Sequence, residues 1–146
     1  MSVVPPIQGA GPLSLAMESA ASGMRAEALR ARLVAENLAN ANSTATGPDG
    51  NPYQRRVMTF GQAVDRATGA VVVQPVQTIL DNTPFRTVYD PQHPAADANG
   101  YVKLPNVSEM VEEADGREAE RSYEANLATL GQARSMFSKT LDILKA

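Results

Sequence analysis

The sequence predicts a mainly α protein in which long N- and C-terminal helices pair as a coiled coil, with a small, short-stranded β region inserted between them. Three observations predict it. Residues 13–46 contain one glycine and no proline, and residues 106–146 contain no proline, so both stretches can run as long helices. Between them Pro48, Pro52, Pro75, Pro84, Pro91 and Pro94, followed by Pro105, exclude a long helix and bracket short apolar runs.

Residues 1–12, "MSVVPPIQGAGP", carry three prolines and two glycines and are expected to form a flexible arm. The N-terminal helix of the core domain follows over 13–47. Met17, Met24, Ala31 and Leu38 recur every seven residues, and Ala21, Ala28 and Ala35 sit four after the first three, which makes a heptad seam of small side chains. Leu15, Leu29 and Leu33 lie off that seam and give the helix a second, partly apolar side. A helix over 13–42 would reach about 45 Å, longer than a domain of this size needs. Its end, "NLANANSTATGPDG", packs three asparagines into six positions. Asn42 is expected to stop the helix, because its side chain competes with the helical backbone. Asn37 and Asn40 flank Leu38 and are expected to hydrogen-bond across subunit boundaries or back to the chain entering the β module.

The β-rich outer module is expected over 48–104. "RRVMTF" at 55–60, "AVVVQPVQTIL" at 70–80, "FRTVY" at 85–89 and "GYVKL" at 100–104 are its candidate strands, and Pro75 demotes the second to an edge or a bulge. Four short strands bury little surface, so the module should lean on the helices. The C-terminal helix of the core domain is expected over 105–146, with Asn106 and Glu109 at capping-box spacing. Tyr123, Leu127, Leu130, Phe137, Leu141 and Leu144 follow a four-three alternation broken only by Arg134. A second alternation runs through Ala119, Ser122, Asn126, Thr129, Ala133, Met136, Thr140 and Ile143. One intramolecular partner can occupy only one of these seams, so the other predicts neighbours from other subunits. The charged segment 112–121, "EEADGREAER", contains Gly116 and is expected to bend or stay solvated.

Composition narrows the function. The chain is 43% apolar but only 5% aromatic, without Trp, so alanine supplies much of the apolar count and a deep core is not expected. A net charge of -3 argues against a general affinity for nucleic acid or anionic membrane. The absence of Cys excludes disulfides and thiolate metal sites, and no run approaches the roughly 18 apolar residues of a membrane span. Residues 1–12 lack Lys and Arg, so either the protein stays in the cytoplasm or an export machine other than the general secretory one reads it. His93 is the lone histidine, without partners for catalysis or metal binding. Asp90, Asp97 and Asn99 lack the spacing of a calcium loop and read as turn formers. Glu109, Glu112, Glu113, Asp115, Glu118 and Glu120 read as a solvated helix face. No nucleophile elbow, phosphate loop or zinc helix is present, so no enzyme, cofactor, metal or small-molecule substrate is expected.

Two functions fit these elements: a subunit that packs into a helical assembly, and a soluble cytoplasmic adaptor that binds one partner helix. Four segments favour the first: "AASGMRAEALRARLVAENLANANST", containing Asn37-Leu38-Ala39-Asn40, then "TGPDGNPYQRRVMTF", "VYDPQHPAADANGYVKLPNV" and "RSYEANLATLGQARSMFSKTLDIL". Together they resemble the family of flagellar rod, hook and axial proteins over nearly the whole chain from about residue 15. The resemblance implies a structural subunit of the proximal rod, the drive shaft between the membrane-embedded ring and the distal rod and hook. It implies export unfolded through the flagellar type III apparatus and assembly in the periplasmic space. It also implies contacts with other rod subunits, with its own copies, and with the base of the rod and the ring. The terminal helices would form the inner layer of a tube. Met17, Met24, Ala31, Leu38, Asn37 and Asn40, with Tyr123, Leu127, Leu130, Phe137, Leu141 and Leu144, are the expected subunit-packing residues.

Overall fold

A computed structural model describes residues 11–145; residues 1–10 of the arm expected over 1–12 lie outside them, and Gly11 and Pro12 cap and open the first helix instead of belonging to an arm. Two long helices enclose a small antiparallel β region. Helix α1 spans Pro12–Ala39, opening with its proline at the first turn, where a missing N–H costs nothing. Helix α2 spans Glu109–Lys145. The two pack antiparallel, from the Asn37–Glu112 hydrogen bond at one end, through Gly23 beside Asn126, to Leu13 and Ala16 beside Ala133 and Met136 at the other. A Cβ on Gly23 would stand 2.7 Å from Asn126 Nδ2, so the glycine is what lets the helices approach there.

Strands β1 (Arg56–Val64) and β2 (Val71–Leu80) form one antiparallel hairpin, and β3 (Arg86–Tyr89) and β4 (Tyr101–Leu104) form another. The first pairs Thr59 with Gln77 but Phe60 with Pro75, leaving Val76 as the extra residue of a bulge. That is the place for a residue with no N–H to give a ladder. The hairpin lies on α1, where the Ser22 hydroxyl accepts the Val73 N–H at 3.0 Å.

Three expectations are corrected. Segment 112–121 does not bend, since α2 is continuous; Glu113, Arg117, Glu118 and Glu120 are solvated as expected, but Glu112 and Ala119 are buried and Gly116 lies against Val34. The glycine penalty of roughly 1 kcal/mol is smaller than what packing along the whole helix supplies. Asn106 is no helix cap, since α2 starts three residues later, with the Glu112 N–H on the Ser108 carbonyl. Lastly, Asn40 rather than Asn42 ends α1, its side chain donating to the Glu36 carbonyl at 2.8 Å.

The core is shallow. Its buried apolar residues are alanines and valines, among them Ala20, Ala26, Val34, Val102, Val107 and Ala133, and none of the described Leu, Ile, Met, Phe or Tyr side chains is fully buried.

Candidate assembly interface

The residues that fix the β region to the helices form one polar node. Asn37 is 1% exposed and uses its whole amide. Its Nδ2 donates to the Arg56 carbonyl at 2.9 Å and to Glu112 Oε2 at 3.0 Å. Its Oδ1 accepts the Tyr53 hydroxyl at 2.8 Å and the Arg56 N–H at 3.1 Å. Glu112, with no exposed surface, takes the Nε–H of Arg55 on its other oxygen. The rest of the Arg55 fork reaches Asp81 at 3.3 Å and Asp115 at 3.2 Å. One guanidinium thus joins the entry of β1, the exit of β2 and the start of α2.

The electrostatics follow from this geometry. Burial works against the Arg55 charge, but hydrogen bonds and attraction from Glu112 and Asp81 outweigh it and hold the guanidinium above its ordinary pKa. The Thr83 backbone N–H, outweighing the effect of burial and helped by Arg55, holds the Asp81 carboxyl below its usual range. Burial raises the Tyr53 hydroxyl, with Arg56 opposing and Glu36 and Glu112 adding to the rise. Asn106 completes the node: its Oδ1 accepts the Arg55 N–H at 2.7 Å and its Nδ2 donates to the Asp81 carbonyl at 2.8 Å. The second hairpin is tied on by Arg86, which donates to the carbonyls of Ala41 and Pro105 at 3.1 and 3.2 Å.

The structure separates the expected packing residues into two groups. Asn37 is spent inside the chain, on the entry to the β region, and Asn40 is spent on its own helix. Asn42 reaches α2 instead, donating to Glu109 at 2.9 Å. The apolar seams are different. α1 meets α2 along the track of Gly23, Val34 and Asn37, one position round the helix from Met24, Ala31 and Leu38. Ala31 is exposed, and Met17, Met24 and Leu38 are half-buried. On α2 the buried positions are Glu112, Ala119 and Ala133. Tyr123, Leu127, Phe137, Leu141 and Leu144 all remain exposed, Phe137 at 48% and Leu144 at 77%, with Leu130 half-buried.

Sequence reasoning passed over Arg55 and assigned Glu112 to solvent. The available signal was the spacing of Glu112 and Asp115, which share a helix face, together with an amide at Asn37 inside an apolar helix. The loop 90–100 is organised by turns: Asp97 Oδ1 accepts the N–H groups of Asn99 and Tyr101, both at 2.9 Å, and His93 Nδ1 accepts the Ala95 N–H at 3.0 Å. No group of three His, Cys, Asp or Glu suited to a metal occurs among the described residues, and none of the described helices is long and apolar enough to cross a membrane.

No family model matches the chain. Curated proteins do. It is 46% identical over 135 residues to the flagellar basal-body rod protein FlgC of Agrobacterium fabrum, covering 92% of this chain and 97% of that protein. Over 126 residues it is 44% identical to the FlgC of Salmonella typhimurium, covering 85% and 92% of the two chains. Over 130 residues it is 38% identical to the FlgC of Aquifex aeolicus, covering 89% and 96%.

Proposed function

We propose, for a chain that belongs to the FlgC family of flagellar basal-body rod proteins, that it builds the rod by burying the outer seams of its two helices against neighbouring subunits. It is a structural subunit of the flagellar basal body and not an enzyme. The observation that carries the assembly reading is the division of α2 into two seams. α1 covers the one built from Ala119, Asn126 and Ala133, while the bulky one from Tyr123 to Leu144 stays open along more than twenty residues. A free helix with that much leucine and aromatic surface exposed gains about 25 cal/mol for each Å² it buries on a partner.

In this reading the helices supercoil with those of other rod subunits and of further copies to form the inner wall of the proximal rod. The β region faces outward and meets neighbouring rod proteins, and the lowest turn of the assembly meets the membrane-ring complex. The wall carries motor torque to the distal rod and hook. The chain reaches this site in the periplasmic space through the flagellar type III apparatus. Family membership leaves no support for the cytoplasmic adaptor.

The test places a carboxylate in a seam. Leu38→Asp or Leu130→Asp would bury an unpaired charge between helices, which interfaces tolerate poorly. Each variant is expected to be exported at normal levels yet to leave cells non-motile on soft agar and without completed rods. Normal swimming by either variant would refute that seam's assignment.

A further inference from the structure

The track of α2 that faces α1 outlasts the helix that covers it. Leu13 and Ala16, in the first turns of α1, lie beside Ala133 and Met136. One heptad further on, Ile143 falls on the same side of α2, about 10 Å past Met136. α1 does not reach it, and Ile143 is 77% exposed. α1 stops where it does for a local reason. Pro12 occupies its first turn, and the residue before a proline is steered away from helical geometry. Gly11 accordingly sits at φ -59° and ψ 158°, an extended conformation that ends the helix. Because the two helices are antiparallel, α1 points at Gly11 toward the uncovered end of α2.

The sequence before Gly11 is suited to that end. Residues 1–10, "MSVVPPIQGA", hold Val3, Val4 and Ile7 and no charged side chain, and Pro5 with Pro6 bars a further run of helix. In an extended chain, at about 3.1 Å per residue, Ile7 stands roughly 12 Å before Gly11. That length carries it to within about one helical turn of the level of Ile143, and Gly9 between them can take up the slack.

We propose that the segment before Gly11 runs along the end of α2 in the same chain and seats Ile7 on Ile143, taking the place that α1 vacates at Pro12. The inference goes beyond the rod reading above. Neighbouring subunits keep the outer seam from Tyr123 to Leu144, and the arm closes the inner one. A tethered segment is the favoured occupant, because a short linker presents it at an effective concentration of about millimolar and no second body has to be immobilised. The two prolines lower the ordering cost further, since their φ angles are fixed before contact.

Cysteine pairs test the contact, because the natural chain has no cysteine. A disulfide spans Cα atoms up to about 7 Å apart. In isolated basal bodies carrying Ile7→Cys with Ile143→Cys, oxidation is expected to give a monomer whose thiols no longer take up maleimide. The control pairs Ile7→Cys with Leu141→Cys, which lies about 200° round the helix from Ile143, on the outer seam, and is expected to keep its thiols. Free thiols in the first pair, disulfide-linked dimers in place of the closed monomer, or equal closure in the control would overturn the proposal; dimers would assign the arm to a second copy. A second readout is the rate at which maleimide labels Ile143→Cys in the otherwise natural chain. Adding Ile7→Asp is expected to raise that rate about tenfold by opening the cover, and an unchanged rate would overturn the contact. Absence of the unmodified chain from basal bodies would remove the rod reading alone, and oxidation of the same pairs in the purified chain would then decide the contact.

Discussion

At the scale of single residues, the buried polar node decides how the β region sits on the helices. Asn37 satisfies both amide hydrogens and its oxygen, and Glu112 is a fully buried carboxylate held by Arg55 and Asn37. Glu112→Ala leaves Arg55 only its Asp81 and Asp115 contacts and strips the Asn37 amide of one acceptor, and is expected to lower the unfolding free energy by about 1–3 kcal/mol in urea titrations. Asn37→Leu keeps much of the shape but strands the Tyr53 hydroxyl and the Arg56 N–H and C=O, at roughly 1–3 kcal/mol for each group. The same node sets an acid limit. Asp81 has its folded pKa depressed, first by the Thr83 N–H and then by Arg55. Its contribution is therefore fully present above the unfolded carboxyl value of about 3.9 and disappears as pH falls through the lower folded value. Arg55 has the opposite sign: its pKa is raised, so its contribution is complete below the unfolded guanidinium value and constant through neutral pH. Urea midpoints should thus drop on acidification below about pH 4, and Asp81→Asn should flatten part of that drop.

At the scale of elements, the two helices differ in what supports them. α1 is covered by α2 along one track and by the first hairpin along another, where Ser22 and Ala26 are buried. α2 has α1 alone, and the residues past the start of α1 at Pro12 have no described helix beside them. Amides over 138–145 should exchange with solvent much faster than those over 112–126, as hydrogen exchange read by mass spectrometry would show; equal protection would contradict the contact map. Close approach at Gly23 makes a sharper test. Gly23→Leu must push Asn126 aside and part the helices, lowering stability by about 1–3 kcal/mol. Gly23→Ala combined with Asn126→Ala removes the clash and gains helix propensity, so its melting temperature should equal or exceed the parent's. The helices and the β region could be read from proline placement and heptad spacing. The face by which α1 meets α2 could not, because its track of Gly23, Val34 and Asn37 is no more apolar than the neighbouring track of Met24, Ala31 and Leu38.

At the scale of the whole molecule, a core of alanine and valine under two long helices leaves little burial to offset the ordering of the chain. The open seam of α2 supplies the missing part only when another subunit covers it. A dilute monomer is therefore expected to show less helix by circular dichroism than the two helical spans allow, with helix content rising on assembly. Full helicity with slow exchange throughout both helices in the monomer would show that the intramolecular contacts suffice.

By itself the sequence determined the order of elements, the shallow core, the excess apolar seam of α2 and the kinship with axial proteins of the flagellum. Each of these is written in spacing or composition: prolines exclude helix wherever they stand, and a repeat of four and three marks a seam without reference to any partner. Tertiary structure alone decided which seam is filled within the chain, and that Glu112, set in the most charged segment, is buried. The reason is that a charge is solvated or buried according to whether a partner reaches it. The partner here, Arg55, is distant in sequence and is delivered only when the first hairpin returns to the junction of the two helices.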